Sequence, residues 1–193
     1  LIASIDMTRM LSMIEADDMG SLVDLLVETF ARLRSAGADF GAIASNTPHV
    51  VFDELRKAVP MPLISIVEST TERAASAGIT RAALLGTAFT MNNDFYQTSF
   101  ERRGISLLVP SPDEREYIHL RIFDELEFGL VKPDTRKGFD AIIGRMREEH
   151  GIEGVVLGCT ELPLLYPEPE GPGGIPLFNT ARIHIEEIIA AMG

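Results

Sequence analysis

Short apolar runs of strand length alternate along this chain with longer stretches in which apolar residues recur every three or four positions. Such alternation is the signature of βαβ units and a parallel sheet. The first helical stretch covers 12–36, with Leu22, Leu25, Leu26, Phe30 and Leu33 on one face and Gly37 just beyond its end. A strand over 40–44 follows. Asn46-Thr47-Pro48 then opens a helix over 49–57, which Pro60 and Pro62 stop. The pattern continues with strand 63–67, helix 70–77, strand 82–85, helix 91–103 and strand 105–109. Residues 117–128 and 137–150 have helical period, 154–157 is an apolar strand, 166–176 is a Pro/Gly-rich loop, and 180–192 is a last helix.

The fold class read from this pattern is α/β with parallel sheets. One strand ends in Ala44-Ser45-Asn46-Thr47 and another in Gly158-Cys159-Thr160-Glu161, each followed by a proline and an apolar helix start. This echo predicts two pseudo-symmetric lobes, 1–77 with 176–193 and 78–175. The active-site cleft then lies between them, at the carboxyl ends of the strands where open α/β sheets bind ligands.

Composition narrows the reading. A chain of 193 residues, 46% hydrophobic, can bury the core of a compact α/β protein without disulfides or metal. Its single cysteine cannot form an internal disulfide, and its four scattered histidines show no zinc spacing, so a reducing, cytoplasmic setting is expected. No apolar run reaches the roughly 20 residues of a membrane span, and the first residues lack the order of a signal peptide. The net charge of −12 repels nucleic-acid phosphates and anionic membranes, and no basic patch offsets it. An anionic substrate would therefore have to be held by local donors.

Cys159 stands between a strand end and an expected helix start, where exposed amides and the helix dipole would favour thiolate over thiol. A lone cysteine is more often a small buried hydrophobe, but the Gly-Cys-Thr-Glu setting at a strand end favours a base or nucleophile. Thr87 and Thr90 flank a turn after Gly86, where hydroxyls and amides could receive a carboxylate. Asn46, Thr47 and Thr160 stand at other strand ends, and each of the five also suits a helix cap or turn. His49 reads as a proton carrier or a cap, and His184 either orients Cys159 or packs. Glu161 would either oppose thiolate formation or accept a substrate ammonium group. His119, His150, Glu125 and Glu127 read as ordinary surface residues. The chain has no GxGxxG, Walker or GxSxG element, so dinucleotide, nucleotide and serine-hydrolase sites are not supported.

At these residues the chain resembles the aspartate/glutamate racemase family over nearly its whole length. The resemblance rests on GADFGAIASNTPHVVFDEL (37–55), LLGTAFTMNNDFYQ (84–97), YIHLRIFDELEFGLV (117–131), GVVLGCTELPLL (154–165) and PLFNTARIH (176–184). It implies two α/β lobes, no pyridoxal phosphate, no metal, and two acid/base residues facing the substrate Cα from opposite sides. It implies Cys159 as the second-lobe thiol and Asn46, Thr47, Thr87, Thr90 and Thr160 as substrate-binding positions. The first-lobe catalytic position, commonly cysteine, is Ser45 here, and a hydroxyl is a far poorer base than a thiolate. The chain begins after the point where the family's first strand and glycine-rich loop are expected. The resemblance also implies a homodimer.

The resulting expectation is racemisation of aspartate or glutamate by Cα deprotonation and reprotonation. The alternatives are a one-cysteine decarboxylase of malonate-type acids, in which loss of CO2 makes the carbanion, and an acidic-metabolite-binding relative without turnover.

Overall fold

The computed structural model of the protein describes residues 1–193. Two helices open the chain, α1 (Met7–Glu15) and α2 (Met19–Ser35), where the apolar period predicts one. The break falls at Asp17-Asp18. Asp17 takes a left-handed backbone, φ 55°, and the Asp18 carboxylate accepts from the Ser21 amide at 3.0 Å, capping the second helix. Consecutive aspartates offer backbone amides a competing side-chain partner, so a cap forms inside a continuous apolar stripe.

β1 (Gly41–Ala42), a 3-10 turn (Thr47–Val51), α3 (Phe52–Ala58), β2 (Leu63–Ile64) and α4 (Ile66–Ser76) follow. The second strand is shorter than predicted because the Ser65 hydroxyl accepts from the Glu68 amide at 3.3 Å and starts α4 there. β1 and β2 pair in parallel as a two-stranded sheet. Leu22, Leu26 and Phe30 of α2 pack on Val51 and Leu55 to form a core of its own beside it.

The remaining elements are β3 (Arg81–Leu85), α5 (Ala88–Asn92), α6 (Phe95–Glu101), β4 (Ser106–Leu108), α7 (Pro112–Asp124), a 3-10 turn (Leu126–Phe128), α8 (Pro133–His150), β5 (Gly154–Leu157), β6 (Leu177–Asn179) and α9 (Thr180–Ala191). The helix predicted over 91–103 is two helices. The Asn93 side-chain amide donates to the Phe89 carbonyl at 2.9 Å and ends the first of them.

Four parallel strands form the larger sheet, in the order β4-β3-β5-β6. Ala83, Leu85, Val155, Leu157 and Leu177 join the core under α7 and α8, while Ala82, Leu84, Val156 and Phe178 join that under α4, α6 and α9. A sheet covered on both faces needs apolar residues at every position, which is why β3 and β5 read as unbroken apolar runs.

β6 was not anticipated from the sequence pattern. Residues 177–179, grouped with the first lobe by sequence, pair with β5 in the larger sheet, because Leu177 and Phe178 complete its two cores. α9, which follows, packs against α4 and also contacts β2. The C-terminal segment thus ties the two sheets together. The α/β class with parallel sheets stands.

Candidate active site

β3 and β5 are neighbours with Leu85 opposite Leu157, so the loops that leave them run side by side. The Gly158 amide donates to the Leu85 carbonyl at 2.7 Å. A Cβ on Gly158 would stand 2.8 Å from Leu84 Cδ1 and 3.1 Å from the Leu85 carbonyl, and one on Gly86 would stand 3.2 Å from the Gly158 carbonyl. The glycines on either side allow this approach, and it brings Thr90 against Gly158, one residue before the thiol. Thr87 caps α5 by accepting from the Thr90 amide at 3.3 Å, and the two hydroxyls lie 3.2 Å apart.

Cys159 follows Gly158 and is 9% exposed. Its Sγ donates to Glu161 Oε2 at 2.9 Å, and the Thr160 hydroxyl donates to the same carboxylate at 2.8 Å. Burial pushes the thiol's pKa up, and the Glu161 carboxylate that accepts its proton pushes it further. This corrects the expectation of a dipole-stabilised thiolate. The turn after Cys159 is a three-residue 3-10 helix, Leu162–Leu164, too short to supply a helix dipole. Of the two roles open to Glu161, the structure supplies opposition to thiolate formation.

Two residues read as surface from the sequence lie nearby, Glu127, which is exposed, and His119, which is half-buried. Glu127, on the turn after α7, lies close enough to Glu161 and Cys159 for their charges to act on it. Burial and then the Glu161 charge raise its pKa, while His119 lowers it. His119 Nδ1 accepts from the Ala88 amide at 3.3 Å, so its proton sits on Nε2, and its ring meets Phe123 edge-on at 4.6 Å. The amides of Ala88 and Thr90 are therefore already paired within the protein. The donors that Thr87 and Thr90 offer a carboxylate are their hydroxyls.

The Ser45 loop reaches this region through a buried network. Tyr96 Oη donates to Asn46 Oδ1 at 2.6 Å, Asn46 Nδ2 donates to Thr180 Oγ1 at 3.4 Å, and the Thr180 hydroxyl donates to the Leu157 carbonyl at 2.8 Å. Leu157 is two residues before Cys159 and Asn46 one after Ser45, so the network couples the two candidate catalytic loops. Asn46 is thus engaged by the protein, while Ser45 and Thr47, both half-buried, border it.

Neither histidine of this region contacts Cys159. His49 Nδ1 donates to the Ser45 carbonyl at 2.9 Å, its Nε2 accepts from the Ile66 amide at 3.2 Å, and it stacks on Phe52. With both nitrogens committed, it pins the Ser45 loop and cannot carry protons; burial and the neighbouring His184 lower its pKa to about 3. His184 Nε2 donates to the Ile64 carbonyl at 3.0 Å and packs T-shaped on His49, so it packs rather than orients the thiol. Two cavities, of about 170 and 270 Å³, are lined by neither Ser45 nor Cys159.

The structure is thus an α/β protein in which a thiol is paired with a carboxylate at the end of an interior parallel strand. The chain belongs to the Asp/Glu/Hydantoin racemase family, whose model matches residues 2–188. It is 30% identical over 151 residues to a broad specificity amino-acid racemase, RacX, of Bacillus subtilis, a match covering 75% of this chain and 62% of that protein. The matched region thus spans less than two thirds of this curated relative. Among solved structures, an aspartate racemase homologue from Pyrococcus horikoshii superposes with a TM-score of 0.86 at 36% identity, over 99% of this chain and 82% of that one. A candidate Asp/Glu racemase from Yersinia pestis gives 0.90 at 29%, with the same coverage.

Proposed function

We propose that this protein interconverts the enantiomers of an acidic amino acid, aspartate or glutamate, by removing and returning the Cα proton without pyridoxal phosphate or metal. The observation that carries the reading is the Cys159–Glu161 contact, the chain's one thiol with a carboxylate 2.9 Å away at an interior strand end. At rest Cys159 is an acid. It becomes a base when Glu161 takes its proton, so the pair can work in either direction. Ser45 is the partner on the opposite face, a weak base that slows racemisation in both directions, because the two share the same transition states.

A Cα proton beside a carboxylate is very weakly acidic, and the carbanion needs donors set in advance. The hydroxyls of Thr87, Thr90, Thr47 and Thr160 are assigned to the substrate's carboxylates. The acidic substrate is inferred from the family, and aspartate and glutamate differ by one methylene, worth only about 1–3 kcal/mol in a pocket. The working assembly is a homodimer in a reducing, cytoplasmic compartment, which light scattering and cell fractionation test.

Proton NMR of L- and D-aspartate and L- and D-glutamate in D2O measures Cα–H washout directly. Washout is expected with the parent protein, is lost in Cys159→Ser and rises in Ser45→Cys. Absence of exchange in every form overturns the reading. The resting protonation of Cys159 favours a second reading, decarboxylation of a malonate-type acid, where a single donor protonates the carbanion left by CO2. CO2 release from such acids without amino-acid exchange supports that reading over the first.

A further inference from the structure

Three side chains and one carbonyl, each from a different element, form a run of hydrogen bonds through the interior. Tyr96 Oη of α6 donates to Asn46 Oδ1 at 2.6 Å, Asn46 Nδ2 donates to Thr180 Oγ1 at 3.4 Å, and the Thr180 hydroxyl donates to the Leu157 carbonyl at 2.8 Å. Tyr96, Asn46 and Thr180 are all buried. What such a run adds to apolar packing is direction: each donor meets its acceptor, so the groups it joins keep a single relative placement. Both ends lie at the site. Asn46 follows Ser45, whose own carbonyl accepts from His49 Nδ1 at 2.9 Å. Leu157 ends β5 two residues before Cys159, and it is the last residue of β5 to pair with β6, opposite Asn179. Thr180, the first residue of α9, carries the tie on beyond that ladder.

We propose that Thr180 is a positioning residue of the reaction: its hydroxyl, shared by the Asn46 amide and the Leu157 carbonyl, fixes where Ser45 stands relative to Cys159, and Tyr96 keeps Asn46 turned toward it. Neither hydroxyl is assigned to substrate, and each acts through the loop it holds. The place needs one group that accepts on one side and donates on the other. Valine is close to threonine in shape and can do neither, whereas serine can do both. Removing a proton from one face of Cα and returning it to the other requires both groups to be aligned with that carbon. A misplacement on the order of 1 Å can cost about a hundredfold in rate. The inference rests on the reading of Ser45 and Cys159 as the two acid/base residues, but the coupling of their loops is measurable without turnover.

Steady-state Cα exchange and amide hydrogen exchange of the full chain test this together, with Ile183→Val, a core change on the same helix that removes no hydrogen bond, as the control for lost packing. At a temperature where the variant is fully folded, Thr180→Val is expected to lower kcat about ten- to a hundredfold, with KM changed less. Thr180→Ser is expected to bring kcat back to within about threefold of the parent. Tyr96→Phe, which leaves Thr180 in place, is expected to act in the same sense and more weakly, and it carries the test where Thr180→Val does not fold. In the folded Thr180→Val protein the amides of both 43–49 and 157–161 are expected to exchange about tenfold faster, with those of β3 unchanged. Ile183→Val is expected to leave kcat and both loops at parent values. Equal kcat in the Thr180→Val and Ile183→Val proteins, no rescue by Thr180→Ser, or faster amide exchange in one loop alone overturns the proposal. Faster amide exchange in both loops, when the parent shows no Cα exchange, overturns the racemase reading instead and leaves the coupling of the loops standing.

Discussion

Cys159 rests as a thiol because burial and an adjacent carboxylate both oppose its ionisation, and its setting could be read from the chain only in part. The Gly-Cys-Thr-Glu run identifies the thiol and its neighbour, since residues one or two apart at a strand end must lie close. Tyr96 and Thr180 carry no such mark. Their hydrogen bonds to Asn46 span 50 and 134 residues, so only the folded chain reveals them. Tyr96→Phe removes the donor to a buried amide oxygen and is expected to lower stability by about 1–3 kcal/mol, read as a shift in denaturant midpoint at unchanged slope. Asn46→Ala should then cost less in the Tyr96→Phe background than in the parent, because one of its two hydrogen bonds is already gone.

β3 and β5 set the site by ending at the same level, and two glycines let their exit loops touch. Gly158→Ala places a methyl 2.8 Å from Leu84 Cδ1 and 3.1 Å from the Leu85 carbonyl. Because backbone cannot yield cheaply, the change is expected to destabilise by about 1–3 kcal/mol and to displace Cys159, lowering both the melting temperature and Cα exchange. Gly144→Ala is the contrast, since nothing lies within 4 Å of its added methyl on α8. It should stabilise by about 0.5–1 kcal/mol and leave exchange unaltered, as glycine is a poor residue inside a helix. The boundaries that the apolar period misplaced follow the same local logic. Asp18, Ser65 and Asn93 each divert a backbone group to a side chain, which a count of apolar positions does not register.

His49 and His184 lie where α4 and α9 join the two sheets, and both are held neutral by burial. Each has a folded-state pKa below its unfolded value, so protonation favours the unfolded chain. The stability they contribute is complete above the unfolded value of 6.5 and is lost as pH falls, for His49 down to about 3. Within that window His49 alone is expected to account for about 1.4 kcal/mol per pH unit, seen as falling denaturant midpoints. His49→Gln should flatten the slope at a lower plateau, and an unchanged slope would remove His49 as its source. By itself the amino-acid order determined the α/β class, the unbroken apolar strands and the Cys159 motif, because burial on both faces of a sheet and adjacency at a strand end are local constraints written in consecutive residues. The fold alone decided that burial and Glu161 raise the pKa of the thiol, that His49 and His184 are held by backbone hydrogen bonds, that β6 completes the larger sheet and that His119 pairs with the Ala88 amide. Each of these depends on charges, carbonyls and desolvating surfaces brought together from distant parts of the chain.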